Sequence, residues 1–291
     1  MKRGDGRLQV GLDPRRAVVL PDTEPVRGAL RLLRNPAERG TPPDPAPVED
    51  LSDAGLVVDA NALLPHIAVR RRPGGVDRHE VAALASSLGD DLPQALALRA
   101  RHSVGVLPFG GEPGRALGDQ LVGLAEQAGL SCRPRPRPRA GTRLAAVVGI
   151  GEPHRDLLDD LLRSGTPHVL VRLAEGAAHV GPFVVPGRTA CLRCLDAHCT
   201  DADSSWPLLV EQYAAATERD RADGVPEPCD GLLATIAVAW AVRDLVTFAE
   251  GRRPSTWSAT IRLDPALAAV EARSWLRHPD CGCGWGDDPG D

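Results

Sequence analysis

Two close pairs of cysteines are the residues of this chain whose types and spacing could do the most definite chemistry. The pairs are Cys191-Leu-Arg-Cys194 and Cys281-Gly-Cys283. Each pair holds two sulfurs on one short turn, and four thiolates can enclose a zinc ion tetrahedrally at Zn–S distances of about 2.3 Å. Such a closed site leaves no coordination position open for a substrate. The spacing therefore predicts a structural zinc site with Cys191, Cys194, Cys281 and Cys283 as ligands.

Two other interpretations of these cysteines stay open. They could be four unrelated free thiols. Cys191 and Cys194 could instead form a redox pair, but Leu192 and Arg193 do not lie at the strand-to-helix entry that a thioredoxin-type motif requires. The chain has seven cysteines and no export signal, which favours reduced thiols and metal binding over disulfides.

Length and composition limit the number of domains and the classes of partner that the protein can have. With 291 residues, of which 43% are hydrophobic, the chain can bury a substantial core, and we expect two modest domains. The formal net charge of −5 argues against a nucleic-acid binder that works through a general basic field. Lys2 is the only lysine, so no interior lysine is available as a phosphate ligand, a Schiff-base former or an adenylation-site cation.

The chain shows neither an export signal nor a membrane span by sequence. No apolar core follows the basic residues of Met1–Gly6, so we expect a cytoplasmic protein. The longest apolar stretch, Leu232–Val242, is far shorter than the ~20 residues that cross a bilayer. It predicts a buried helix, and no membrane partner is expected.

The N-terminal region predicts short strands and small helices. We expect strands over Arg7–Gly11 and Ala17–Leu20, and then a helix that Thr23 caps and Asn35 ends. The proline-rich segment Gly40–Pro47 is expected to be a loop in which no helix begins. The apolar face of the first helix comprises Val26, Ala29, Leu30, Leu32 and Leu33.

A second small helix is expected from Val48 to Asp53 or Ala54, followed by a short strand over Leu56–Val58. Together these elements fit a winged-helix-like module of residues 1–70. The basic, glycine-containing segment Arg70–Gly75 is expected to be the boundary, although an ordinary surface loop would have the same composition. A helical connector over residues 71–101 would follow, with helices at 77–88 and 92–101.

From residue 102 to residue 291 the pattern alternates between strands and helices. This alternation predicts a parallel, doubly wound α/β sheet. The proline-arginine repeat Arg133–Arg139 is expected to be an extended connector. The expected strands are 104–107, 144–149, 168–172, 256–262 and 268–272, and the expected helices are 115–129, 156–164, 207–219 and 230–250.

Two glycine-containing turns stand where an α/β protein could bind a nucleotide. The turn Pro108–Arg115 contains Gly110 and Gly111, which allow a close approach of phosphate. However, Glu112 adds a negative charge and Pro113 removes an N–H donor, so the loop is a poor anion site. The second turn, Gly149–Pro153, has the same defects and is expected to be a tight turn.

Two further cysteines, Cys199 and Cys229, could be nucleophiles, but small buried thiols are the plainer expectation. The histidines show no HxxxH or HExxH spacing, so the sequence does not support a catalytic metal site.

Taken together, these features resemble ThiF-like, or ubiquitin-activating-enzyme-like, proteins. The resemblance is to members that bind leader peptides in the biosynthesis of thiazole/oxazole-modified peptides (TOMMs), including thiopeptides. The runs that carry it are Val10–Leu20, His168–Arg172, Val180–His198 with Trp206-Pro207 and Gln212, and His278–Cys283. It covers nearly the whole chain and is weakest between Pro36 and Leu92.

The resemblance implies a winged-helix leader-binding domain fused to an activating-enzyme-like α/β domain with a four-cysteine zinc site. It does not imply activity, because the altered loop at Gly110–Gly114 and the lack of any lysine after Lys2 suit a scaffold that has lost ATP chemistry. The implied function is a non-catalytic adaptor that presents a precursor peptide to a YcaO-type cyclodehydratase for azole or azoline formation. A homodimer is one assembly left open.

The implied leader site lies in the N-terminal domain. An extended leader would add as a strand beside Ala17, Val18, Val19 and Leu20, over an apolar wall of Leu30 and Leu33. An ordinary covered sheet edge with core leucines would look the same in the sequence.

Two rival functions remain. One is an ATP-dependent adenylating enzyme of the ThiF/MoeB type that acts on a carrier protein or peptide carboxylate, with Gly110, Gly111 and Gly114 at the phosphates and Cys199 as acceptor. The other is a zinc-stabilised regulator that binds DNA, which the acidic charge disfavours.

Overall fold

The chain packs as two units, Met1–Leu96 and Ala97–Asp291. The computed structural model describes residues 1–35, 45–59, 63, 76, 78–134, 144–219 and 224–284. The boundary expected at Arg70–Gly75 falls outside the described residues. The division into residues 1–70, 71–101 and 102–291 therefore stays a prediction.

The N-terminal unit is built on a hairpin of strands β1 (Arg7–Val10) and β2 (Val18–Pro21). The strands are antiparallel, with Leu8 opposite Leu20 and Val10 opposite Val18. Helices α1 (Glu24–Arg34), α2 (Ala46–Asp53) and α3 (Arg78–Leu88) follow in the chain. One small core contains the buried side chains of Leu8, Leu20, Val26 and Leu51.

Two expectations for this unit are wrong. Helix α2 begins at Ala46, inside the segment expected to exclude a helix start. Pro47 lies in the first turn, where no N–H is needed for the helix, and the fixed φ of proline suits that position. Residues Leu56–Val58 form no strand and pair with no described strand. The apolar run Leu56-Val57-Val58 predicted a strand, but no described strand lies beside it to form backbone hydrogen bonds.

The C-terminal unit contains a seven-stranded sheet in the order β4-β3-β5-β6-β7-β8-β9. Helix α4 (Leu92–Arg101) leads into it. The strands are β3 (Ser103–Phe109), β4 (Ser131–Pro134), β5 (Leu144–Ile150), β6 (His168–Ala174), β7 (Ala177–Val184), β8 (Ala259–Leu263) and β9 (Val270–Ser274). The first two residues of the expected proline-arginine connector, Arg133 and Pro134, belong to strand β4. Residues 135–143 lie outside the described residues.

The sheet is mixed, which corrects the expectation of a parallel sheet. Strands β4, β3, β5 and β6 are parallel, whereas β7, β8 and β9 are antiparallel to their neighbours. The reversal occurs at the two residues between β6 and β7, Glu175 and Gly176, which have φ of +53° and +76°. Two consecutive positive φ values make the type I′ turn of a tight hairpin, so β7 must run back along β6.

Helices cover both faces of this sheet, as a doubly wound protein requires. Helices α5 (Gly111–Gln127) and α9 (Gly231–Ala249) pack against one face. Helices α6 (Arg155–Arg163) and α7 (Leu192–Ala202) contribute Leu158, Leu161, Leu192 and Leu195 to the core on the other face. Helix α8 (Trp206–Thr217) follows α7 and buries only Ala214.

Helix α9 is long and apolar enough to cross a bilayer by length and composition, and it is the single such helix in the described residues. In its most apolar window 56% of the residues are buried inside the protein, as in the core helix of a folded domain. The Asp230 carboxylate caps it by accepting from the Leu232 and Leu233 amides. The expected buried helix is therefore present, although the Leu232 side chain is exposed.

Candidate metal centre and candidate docking surfaces

The four predicted cysteines meet in one cluster. Cys191 precedes α7 and Cys194 lies in its first turn, while Cys281 and Cys283 come from the C-terminal tail. The Sγ–Sγ distances are 3.8 Å for Cys191–Cys194, 3.7 Å for Cys191–Cys281 and 3.4 Å for Cys194–Cys283. These separations are far longer than the disulfide bond of about 2.05 Å, and all four are free cysteines.

The cluster fits a tetrahedral zinc ion. Zn–S distances of about 2.3 Å place tetrahedral sulfurs about 3.8 Å apart, close to the observed spacing. Cys191, Cys194 and Cys281 are buried, and Cys283 is half-buried. Four soft donors shielded from water leave no position for a substrate, so the arrangement suits a structural rather than a catalytic metal.

The protonation of the cluster also favours a cation. The hydrogen bond between Cys191 and Cys194 raises the pKa of Cys191 and lowers the pKa of Cys194 to about 4. Burial, together with hydrogen bonds to Cys194 and Cys281, raises the pKa of Cys283 to about 12. The raised pKa values of Cys191 and Cys283 mean that these two thiols keep their protons unless a positive ion compensates the charge of their thiolates.

A second group of candidate ligands, His198, Asp201 and His278, lies beside this cluster. The Asp280 N–H donates to His278 Nδ1, which assigns the proton to Nε2, and Nε2 lies 3.0 Å from Asp201 Oδ2. His198 Nε2 lies 3.0 Å from the Leu276 carbonyl. These hydrogen bonds occupy the His278 nitrogens, so the group ties the tail to α7 rather than presenting free metal ligands.

The expected phosphate loop lies at the point where the strand order reverses. Gly110, with φ of +77°, precedes α5, and a Cβ there would overlap the Ile150 carbonyl oxygen. The ends of β3 and β5 are thus in backbone contact where open α/β sheets bind their ligands. A Cβ at Gly151 would overlap the side chain of Thr217, whose Oγ1 accepts from the Glu152 N–H. The last turn of α8 therefore covers this end of β5.

Sequence reasoning missed an ion-pair network at the same strand ends. Glu152, whose side chain is only 3% exposed, pairs with Arg155 at 2.6 Å and also with Arg172. Arg155 in addition donates two hydrogen bonds to Asp196, at 2.7 and 2.8 Å. The Trp206 indole donates to Asp196 as well. The partners come from β6, α6, α7 and α8, so no local spacing signals the network.

A cavity of about 500 Å³ borders this network on the side of α7 and α8. Arg155 and Arg193 in its wall already form ion pairs with carboxylates. Its other lining residues include His154, Asp156 and Glu211. The neutralised arginines leave the cavity without an obvious anion site.

The two remaining candidate nucleophiles are not activated. Cys199 is half-buried, and burial and the charge of Asp196 raise its pKa. Cys229 is exposed, contrary to the expectation of a buried thiol, and partial desolvation and Asp230 raise its pKa. Neither thiol is held as a thiolate.

The outer edge of β2 is open within the described part of the chain, because no described strand pairs there. The Asp22 N–H donates to Gly6 O on the β1 side, so the alternation of an antiparallel pair turns the Leu20 and Val18 amides toward β1. Val19 therefore directs its N–H and C=O outward. Its side chain is exposed, that of Leu20 is buried, and Ala17 and Val18 are half-buried.

A groove of about 1060 Å³ lies elsewhere in the N-terminal unit, between α1, β1 and residues 56–59. Of the six residues predicted to bind a peptide, Leu30 and Leu33 line it, whereas Ala17, Val18, Val19 and Leu20 do not. The structure therefore does not place the leucine wall beside the β2 edge. The apolar lining also includes residues that the sequence did not predict to bind a peptide, among them Leu8, Val10, Leu56, Val57 and Val58.

No protein-family model and no curated protein matches the chain. Solved structures match its fold. A heterocyclase in complex with substrate and cofactor is 16% identical, with a TM-score of 0.64 over 96% of this chain and 38% of that chain. The heterocyclase TruD is 16% identical, with a TM-score of 0.59 over 96% of this chain and 42% of that chain.

Escherichia coli MccB, solved with ATP, is 12% identical, with a TM-score of 0.59 over 97% of this chain and 98% of that chain. The protein thus has an α/β fold with a mixed sheet like that of MccB. At these identities the likeness shows the fold alone. The chain spans about two fifths of the length of the heterocyclase chains.

Proposed function

We propose that this protein is a leader-binding adaptor in the biosynthesis of azole-modified peptides. It binds the leader of a ribosomally made precursor and presents the core to a YcaO-type cyclodehydratase. The observation that carries this proposal is the fold match to two heterocyclases, with TM-scores of 0.64 and 0.59 over 96% of this chain. A fold that heterocyclase chains contain is consistent with a part in the same chemistry.

The strand ends of the C-terminal unit support an adaptor without its own ATP chemistry. Glu112 and Pro113 occupy the first turn of α5, where a phosphate site needs bare amides and no negative charge. Glu152 adds a buried carboxylate at the same edge. Each feature works against a bound triphosphate.

In this proposal the N-terminal unit binds the leader peptide and acts as a winged-helix-like recognition domain. A leader segment can add to the β2 edge through the Val19 amide and carbonyl, because main-chain hydrogen bonds need no particular side chain. Binding the leader raises the effective concentration of the core at the partner enzyme. The partner enzyme then forms the heterocycles faster, although this chain contributes no active site of its own.

Zinc has a structural part in this proposal. Bound by Cys191, Cys194, Cys281 and Cys283, it would cross-link the C-terminal tail to the start of α7 and supply no step of the reaction. The cytoplasm, with its reduced thiols, is the proposed location, since thiolates must stay reduced to hold the metal.

A titration of labelled precursor leader into the purified protein, with and without ATP, tests the proposal. We expect saturable binding that ATP does not change, no ATP turnover by the protein alone, and faster azoline formation when it is added to the cyclodehydratase. Absence of leader binding, or equal heterocycle formation without this protein, would rule the adaptor out.

The alternative function is an adenylating enzyme. The match to MccB with ATP over 98% of that chain favours it, because the two chains correspond nearly end to end. Exchange of labelled pyrophosphate into ATP by the purified chain, dependent on a peptide or carrier carboxylate, would decide for this alternative.

A further inference from the structure

The groove in the N-terminal unit, here called the α1 groove, has apolar walls. Its lining from α1 includes Leu30 and Leu33, and its opposite wall includes Leu56, Val57 and Val58. Leu33 is 36% exposed, so a large apolar side chain faces solvent rather than the core. Burying it against a guest would gain about 25 cal/mol for each Å² of apolar surface removed from water.

The rim of the α1 groove is basic. Lys2, Arg27, Arg31 and Arg34 line it, against a single acid, Asp59. The Arg27 guanidinium is engaged by two hydrogen bonds to Asp22, at 2.6 and 2.8 Å. In contrast, neither Lys2 nor Arg34 forms an ion pair with a residue that the structure describes. Two cationic side chains thus flank an apolar surface without a paired carboxylate in the described part of the chain.

Size and chemistry together identify the kind of guest. A volume of about 1060 Å³ lies just above the range of about 300–1,000 Å³ for small-molecule sites, and a segment of polypeptide can fill it. The leucine and valine walls do not suit a nucleic-acid backbone. A guest that satisfies both the walls and the rim carries apolar side chains next to carboxylates.

We propose that the α1 groove binds an apolar segment of the precursor leader that carries aspartate or glutamate beside its apolar side chains. This inference rests on the proposed adaptor function and adds a recognition site apart from the β2 edge. The β2 edge reads the leader backbone, whereas the α1 groove reads its side chains. Selection among precursors therefore depends on Lys2 and Arg34.

A random peptide library displayed on phage, selected on the full-length protein, tests the inference with no assumption about the leader sequence. We expect the enriched peptides to combine Leu, Ile or Phe with Asp or Glu. A synthetic labelled copy of the best peptide should bind the double variant Lys2→Glu/Arg34→Glu about tenfold more weakly by fluorescence anisotropy, because two attractions become repulsions. The exposed double variant Arg15→Glu/Arg115→Glu is the matched control and should bind as the wild type does.

A charge exchange completes the test. The double variant Lys2→Glu/Arg34→Glu should regain affinity for the same peptide with its acids replaced by lysine, which loss of folding could not produce. Enriched peptides without acids, or equal affinity for the wild type and the groove variant, would overturn the groove assignment. If such peptides respond to Val19→Pro instead, the adaptor function stands and the groove fails. If no peptide or leader binds at all, both the adaptor function and the groove assignment fall. If the groove is found to hold a second copy of this chain, only the groove assignment falls.

Discussion

Glu152 holds two arginines at once at the carboxyl end of β5. Removing a carboxylate from water is costly unless cations and donors replace the water, and Arg155 and Arg172 do so here. Arg155 extends the network to Asp196. Glu152 makes the turn Gly149–Pro153 a poor phosphate site, and through its ion pairs it also links the end of β5 to β6, α6 and α7.

Replacing Glu152 with glutamine should lower the free energy of unfolding by about 3 kcal/mol, because it leaves Arg172 and Arg155 short of a buried counter-charge. We take the low end of the range for such pairs, since the Arg172 side chain keeps 22% exposure. Asp160→Asn is the matched control. Asp160 pairs with Arg163 at the surface, so its loss should cost less than about 1 kcal/mol. Equal effects of the two variants in urea unfolding would contradict a structural role for Glu152.

The cysteine cluster gives a second prediction for single residues. Cys191→Ser should abolish tight zinc binding and cost about 3 kcal/mol or more, which lowers the melting temperature by about 6–12 °C in a domain of this size. Cys229→Ser, at an exposed thiol outside the cluster, should change neither quantity. The measurements are metal content by mass spectrometry and thermal unfolding. Full zinc content in the Cys191 variant would show that the metal assignment is wrong.

Strand β2 shows how the orientation of one element decides which residue can bind a peptide. The Val18 amide is directed toward β1, opposite Val10, whereas the Val19 amide is directed to the open edge. Sequence alone places both residues in one strand and cannot tell inner from outer amides, because the pairing partner sets that alternation.

Val19→Pro should weaken leader binding by about two- to tenfold, since it removes one donor worth about 0.5–1.5 kcal/mol, and the fold should tolerate a proline on an open edge. Val18→Pro should instead unfold the hairpin by removing an internal ladder bond. Leader anisotropy and thermal unfolding distinguish the two. Unchanged affinity in a folded Val19→Pro protein would exclude the β2 edge as a docking site.

Local elements were largely predictable, whereas their partners were not. Periodicity predicts the helices α5, α6, α8 and α9 and the buried strands β3, β5 and β6, because one residue pattern fixes each. Helix α7 (Leu192–Ala202) was not predicted. The direction of β7 depends on the φ angles of Glu175 and Gly176, which a sequence without asparagine or aspartate at that turn does not signal. The α1 groove is formed by α1 and residues 56–59. Contact between segments so far apart in the sequence cannot be read from a local residue pattern.

At the scale of the whole molecule, the two units have separate cores. Leu8, Leu20, Val26 and Leu51 form one core in the N-terminal unit, and the sheet of the C-terminal unit forms its own. The cysteine cluster belongs entirely to the C-terminal unit. Stability and peptide recognition are thus assigned to different parts of the chain.

Chelation of zinc from the full-length protein should therefore separate these two properties. We expect a chelator to lower the unfolding temperature of the C-terminal unit, because the tail loses its link to α7. Leader affinity at a temperature where the metal-free protein remains folded should stay within about twofold, since groups without shared partners act independently to about 0.5 kcal/mol. The cysteine cluster and the proposed peptide-binding residues belong to units with separate cores. Anisotropy titrations with and without chelator, each paired with a thermal scan, measure both. A large loss of leader affinity that zinc restores would show instead that the metal centre and the peptide site are coupled.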